Sequence, residues 1–179
     1  FKDKRQFTFF FTTFLDFQSL AIFRVNAGYF LEIFGQENIE TITVESNRYS
    51  LQKNLKVEPI SEDEIRKVLG ILMFASVNTL PSLKLFWSHK YRIPIVAETM
   101  PRNRFYEVLS CFHLNDSEMQ VKDTNQPGFD RLQKIRPLLV SCNQNFERCA
   151  TFEPVLAVDE QMIPFKGRLS LKCYMKNKT

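Results

Sequence analysis

Ser61-Glu62-Asp63-Glu64-Ile65-Arg66-Lys67-Val68-Leu69-Gly70-Ile71-Leu72-Met73 is the stretch whose reading decides the fold. It opens on a capping box, in which the Ser61 hydroxyl can accept from the amide of residue 64 while the Glu64 carboxylate reaches back to the Ser61 amide. Behind that start signal, Ile65, Val68, Leu69, Leu72 and Met73 recur at the spacing i, i+3, i+4, i+7 and i+8, which lays one apolar stripe along a helix. Pro81 marks its stop.

Outward from this helix the pattern stays helical. A second helix reads from about Met100 to Phe112, with Phe105, Val108, Leu109 and Phe112 on one face and Pro101 acceptable in the first turn; Asn115-Asp116-Ser117 ends it. Upstream, Ile39, Ile42 and Tyr49 mark a helix over about Glu37 to Gln52. Residues Gln120 to Gly128 form a polar surface loop. Asp130 then caps a helix carrying Leu132, Ile135, Leu139, Cys142 and Phe146, with a kink expected at Pro137.

At Glu153-Pro154 the pattern changes. Val155-Leu156-Ala157-Val158 is a short apolar run bounded by a proline and by Asp159-Glu160, as a buried strand would be. Gly167 marks a turn, after which Leu169, Leu171 and Cys173 alternate with Ser170, Lys172 and Tyr174 as in a second strand. The fold class is therefore mainly α, with a helical region that leads into the first β-hairpin of an α/β or mixed sheet.

The chain has 179 residues and 44% apolar content, enough to bury a core, and its net charge of +4 tilts only weakly toward a polyanionic partner. Its four cysteines, Cys111, Cys142, Cys149 and Cys173, contain no C-x-x-C pair, and His89 and His113 do not extend them into a zinc finger. They read as reduced, mostly buried thiols of a cytosolic or nuclear protein. The segment Phe7 to Phe17 is rich in Phe but is interrupted by Thr12, Thr13 and Asp16; it is too short to cross a bilayer and lacks the features of a signal peptide. A start at Phe1 and a strand-like segment running straight into Lys176 to Thr179 read as two cut ends.

Among the residues that could carry chemistry, Asp159 stands where a buried strand emerges, a position rigid enough to offer an oxygen ligand to a divalent cation. The local pattern by itself favours a plainer role, a strand end that is solvated or paired with Lys166 or Arg168. Lys166, Arg168, Lys172, Lys176 and Lys178 follow with no acidic residue among them and with Phe165 and Tyr174 interleaved. Such a run fits phosphate binding and fits equally a lysine-protected sheet edge. Arg102 and Arg104 flank Asn103 at a helix start, where surface arginine is the plainer reading than a phosphate contact. Trp87, with Phe86 and Tyr91, reads as core packing, and the spacing of Cys111 and His113 argues against a nucleophile and base.

The stretch Val158-Asp159-Glu160-Gln161-Met162-Ile163-Pro164-Phe165-Lys166-Gly167-Arg168, followed by Ser170-Leu171-Lys172 and Tyr174-Met175, resembles the first catalytic-aspartate motif of the piggyBac transposase family. Supporting matches come in the family's order: Ser46-Asn47-Arg48-Tyr49, the helix from Ile65 to Leu72 with Leu80-Pro81-Ser82, Arg102-Asn103-Arg104-Phe105, Phe112-His113-Leu114-Asn115-Asp116, and Lys134-Ile135-Arg136-Pro137-Leu138-Leu139. The resemblance implies a helical dimerisation and DNA-binding region over 27–151 and the start of an RNase H-like catalytic domain over 152–179, with 1–26 unassigned. It implies Asp159 as the first of three catalytic aspartates holding two divalent ions, Mg2+ or Mn2+. It places Lys166, Arg168, Lys172 and Lys176 near the DNA backbone.

The implied partners are transposon-end DNA, a TTAA target and a second copy of the chain, with no membrane and no small-molecule substrate; the implied location is the nucleus. The second and third aspartates have no match in this sequence, and Asn177-Lys178-Thr179 departs from the family's frequent Lys-Pro. One carboxylate builds no two-metal site and two strands close no sheet, so this chain alone is expected to be inactive. The alternative readings are a domesticated or decayed transposase-derived DNA-binding or dimerisation protein without catalysis, and a helical interaction domain with no DNA contact.

Overall fold

Ser61 caps its helix as its sequence requires: the Glu64 amide donates to the Ser61 hydroxyl at 3.3 Å, and the Ser61 amide donates to the Glu64 carboxylate at 3.0 Å. The computed structural model in which this is seen describes residues 27–121, 123, 125–150 and 155. Among them the elements are helical throughout: α1 (Ala27–Phe34), α2 (Gln36–Gln52), α3 (Glu62–Val77), a 3-10 turn (Leu83–Trp87), α4 (Pro94–Thr99), α5 (Arg102–Cys111) and α6 (Arg136–Cys149). The mainly α class stands; the expected β-hairpin falls outside the described residues except for Val155, which lies at a bend and is exposed.

Helices α2, α3 and α5 pack against one another, α6 packs on α1, and the 3-10 turn packs on α4. The stripe of α3 buries Ile65, Val68 and Leu69, but Ile71 is buried as well, while Leu72 and Met73 are only half-buried. Contact with α2 and α5 together widens the buried arc beyond a single stripe. Ile39 and Ile42 of α2 and Phe105, Val108 and Leu109 of α5 fill the same core. Asn47 of α2 fastens the connection that leads into α3, accepting from the Ile60 amide and donating to the Ile60 carbonyl, both at 2.8 Å. Trp87 packs against the core, as expected, while Tyr91 is exposed: the Trp87 indole N–H donates to the Met100 carbonyl at 2.8 Å, and its ring lies 5.2 Å from that of Phe105.

Gly35 sets the break between α1 and α2. Its φ of 83° lies in the left-handed region, and an added Cβ would meet the Glu37 carboxylate.

The structure corrects several boundaries. Pro137 does not kink a helix begun at Asp130; it lies in the first turn of α6, where its missing N–H leaves no bond unmade. Residues 131–135 are turns instead, with the Asp130 carboxylate accepting from the Leu132 amide at 2.8 Å and from Arg136 at 2.7 Å. Helix α5 ends at Cys111, ahead of Asn115-Asp116-Ser117, because Phe112 turns extended. Helix α3 ends at Val77, where the Asn78 amide and side chain both donate to the Phe74 carbonyl and close the last turn before Pro81 is reached. Of the cysteines described, Cys111 and Cys142 are buried free thiols and Cys149 is exposed.

Candidate nucleic-acid interface

Asp159, Lys166, Arg168, Lys172 and Lys176 lie outside the described residues. The described region decides instead which of the remaining cations are bound up in structure. Arg104 is the most fully used. Its Nε donates to Glu64 at 2.6 Å and its terminal nitrogens to the other Glu64 oxygen at 2.9 Å, to the Glu58 carbonyl at 3.2 Å and to the Pro59 carbonyl at 3.1 Å. The two side chains are only 18% and 21% exposed. The Arg104 hydrogen bond holds the Glu64 carboxyl below its usual range, and Glu64 in turn pushes the guanidinium up. Arg104 is therefore a clamp from α5 onto the N-terminus of α3, with no donor geometry left for a phosphate.

Other cations are paired along their own helices or across a turn. Arg48 meets Glu45 at 2.8 Å, Arg66 meets Glu62 at 3.2 Å, Lys67 meets Asp63 at 2.6 Å and Arg136 meets Asp130 at 2.7 Å.

A polar seam centred on His113 joins two of the motif segments, 46–49 and 112–116. The His113 amide donates to the Ser46 hydroxyl at 3.1 Å, and its ring stacks on Tyr49 with centroids 3.6 Å apart. The ring's Nδ1 lies 3.0 Å from the Cys111 carbonyl, which only accepts, so Nδ1 carries the proton. Burial holds the imidazole below its ordinary pKa despite that bond, and the charges of Lys134 and Lys53 add to the effect. Beside it, Gln52 donates to Asp116 at 2.9 Å, Arg48 lies 3.6 Å from the same carboxylate, and Asn115 donates to the Gln133 carbonyl at 2.9 Å. Residues 46–52, 112–116 and Gln133, far apart in sequence, thus meet along one seam. Cys111 and His113 are not a nucleophile and base, since the ring faces the Cys111 carbonyl with its N–H and the thiol is buried.

A second seam ties α6 to the α1–α2 break. Ser141 and Asn145 donate to the Glu37 carboxylate at 3.1 and 3.2 Å, Asn145 also donates to the Ile33 carbonyl at 3.1 Å, and Asn38 donates to Ser141 at 2.7 Å. A backbone hydrogen bond and these side chains keep Glu37 below its usual pKa against the cost of burial. Burial pushes the nearby Cys142 thiol up to about 11, so it is an inert core group. Among the described residues no group of three or more His, Cys, Asp or Glu is placed to hold a metal ion, and no helix is long and apolar enough to cross a membrane.

The family described as transposase IS4 matches residues 26–179. The chain is 31% identical over 150 residues to the human piggyBac transposable element-derived protein 2, covering 81% of this chain and 24% of that protein. It is 30% identical over 154 residues to the human piggyBac transposable element-derived protein 3, covering 83% of this chain and again 24% of the relative. The chain thus spans about a quarter of the length of these two relatives. No solved structure matches it. With a family match that runs from the α1 helix through the stretch bearing Asp159, and relatives whose identity covers most of the chain, this protein belongs to the transposase IS4 family, among its piggyBac-like members.

Proposed function

We propose that the chain is part of a piggyBac-like DNA transposase, acting by metal-dependent phosphodiester cleavage and strand transfer. The observation that carries this reading is the extent of the family match, residues 26–179, which takes in both the helical body and the Val158-to-Arg168 stretch. In this reading 27–151 is the dimerisation and DNA-binding region, built on the core of α2, α3 and α5, and 152–179 opens an RNase H-like catalytic domain. Asp159 is the first metal ligand, a hard oxygen donor suited to Mg2+ or Mn2+. Lys166, Arg168, Lys172 and Lys176 neutralise backbone phosphates beside it without reading bases. The ions, when bound, supply the activation of the attacking water or 3′-hydroxyl and the stabilisation of the leaving oxygen. The substrates are transposon ends and a TTAA target, the second copy of the chain completes a homodimer, and work on chromosomal DNA places the protein in the nucleus.

The test starts with the reading frame beyond the codon for Thr179. A frame supplying two further aspartates should yield a protein that nicks transposon-end DNA in Mg2+ or Mn2+. Asp159→Ala should then lower cleavage by on the order of 10³-fold or more, the scale of a lost metal contribution, with DNA binding retained. The 179-residue chain alone should not cleave. Full cleavage by the Asp159→Ala protein would remove the catalytic assignment, and an early stop codon would leave a transposase-derived binding protein.

A further inference from the structure

Between Glu64 and Glu98 the sequence contains no Asp or Glu, although it contains Arg66, Lys67, Lys84, Lys90 and Arg92. The first two are neutralised by Glu62 and Asp63 on the opening turns of α3. The rest fall on the 3-10 turn and the loop after it. There the Lys84 ammonium lies 5.9 Å from the centre of the Tyr106 ring, and Lys90 lies 5.3 Å from that of Tyr91. A further cation reaches Tyr106 from the other element. Arg102 begins α5 and is one helical turn from Tyr106, on the same face. Its charge acts on the Tyr106 hydroxyl, opposing the upward push of burial.

One cation thus lies over the Tyr106 ring and a second stands one helical turn before it, and among the described residues neither forms an ion pair. The nearest carboxylate along α5, Glu107, is turned toward Arg104 at 3.5 Å. Nothing in the fold calls for this arrangement. Like charges repel, and Arg102 sits at the positive end of the α5 dipole with no acidic residue in the first turn to offset it. The scaffold beneath is fixed all the same. Trp87, pinned to the Met100 carbonyl at 2.8 Å, lies tilted against both Phe105 and Tyr106, with ring centres 5.2 and 6.4 Å away. A rigid aromatic base carrying exposed cations that form no ion pair, with Arg102 held only by a 3.5 Å bond to the neighbouring Asn103, is suited to a polyanion whose charges are spaced along a line.

We propose that Lys84 and Arg102, set around the Tyr106 ring, form a docking patch for the phosphate backbone of DNA. This rests on the DNA-transposase reading and names, within the 27–151 region read there as DNA-binding, the residues that make the contact. The contact is to phosphates and carries no base preference.

The test is fluorescence anisotropy of a fluorescein-labelled, random-sequence duplex with the full chain over a series of salt concentrations. Removing two phosphate contacts in a Lys84→Gln, Arg102→Gln double variant should make the slope of log affinity against log salt shallower by about 2, at roughly 0.9 per contact. Each single variant should lose about half of that, and Lys67→Gln, whose ammonium is committed to Asp63, should leave the slope unchanged. Helical circular dichroism checks that the variants fold; should the double variant unfold, the singles give the answer. Steep salt dependence in the parent chain with the same slope in the variants overturns the patch alone. A parent chain with no salt-dependent binding overturns the DNA reading beneath it. Equal competition by poly-glutamate would assign the patch to an acidic protein partner and overturn the proposal as well.

Discussion

His113 shows how one residue carries several duties in this body. Its amide satisfies Ser46, its ring covers Tyr49, and its Nδ1 proton goes to the Cys111 carbonyl. The ring is held neutral because burial lowers its pKa below the ordinary 6.5, so the unfolded chain takes up a proton before the folded one does. Stability should therefore be complete above pH 6.5 and decline as the pH falls from there through the folded-state value. His113→Phe keeps a ring against Tyr49 and removes the titration; its denaturation midpoint should be lower at neutral pH, for want of the Cys111 bond, but flat across that window. An unchanged slope with pH would place the titration elsewhere. The sequence showed the residue and its neighbours but not this role, since Ser46 and Tyr49 are brought to it only by the packing of α2 beside the end of α5.

At the scale of elements, what could be read in advance was whatever had both a cap and a period. Helices α2, α3 and α5 announce themselves through apolar residues three and four apart, and the capping box of α3 is made as the residues require. Helix α1 has eight residues and α4 six, too few turns for a period to repeat; and a 3-10 turn repeats at three. Pro137 was legible as a disturbance but not as a beginning, because a proline at a first turn and one in a helix interior look alike until the preceding residues are known to be turns. Gly35 is the element junction most open to test. Gly35→Ala puts a Cβ where φ is 83° and against the Glu37 side chain, and should cost about 1–2 kcal/mol in chemical denaturation, the scale of a left-handed penalty. No loss would mean that the α1–α2 break relaxes to another geometry.

For the whole molecule, the separated motifs become tertiary contacts. Arg102-Asn103-Arg104-Phe105 meets the α3 cap through Arg104, and Ser46-Asn47-Arg48-Tyr49 meets Phe112-His113-Leu114-Asn115-Asp116 along the His113 seam. Their order in the chain carries the family resemblance, while their joint structural purpose arises only from the packing of α2, α3 and α5. Asp159 stands differently: its local sequence fits an ordinary strand end, and the proposal that it is a metal ligand rests on the resemblance, because a lone carboxylate carries no information about the other ligands of a site. The seam that closes the body is α6 against α1 and α2. Asn145→Ala would leave the Ile33 carbonyl and the Glu37 carboxylate short of a donor and should cost about 1–3 kcal/mol, read as an equal loss at the midpoints of fluorescence and circular dichroism melts. Divergent midpoints would show that α6 comes away by itself.

The register of that seam has a mechanical meaning. Ile33 faces Asn145 while Asn38, further along the chain, faces Ser141, so the two strands of polypeptide run in opposite directions. The entry at α1 and the exit from α6 therefore lie at the same edge, like two ends of a cord leaving a knot on one side. A pull applied through both ends loads the seam as a zipper, contact after contact, and not in shear. The core of α2, α3 and α5 is spared until that zipper has opened.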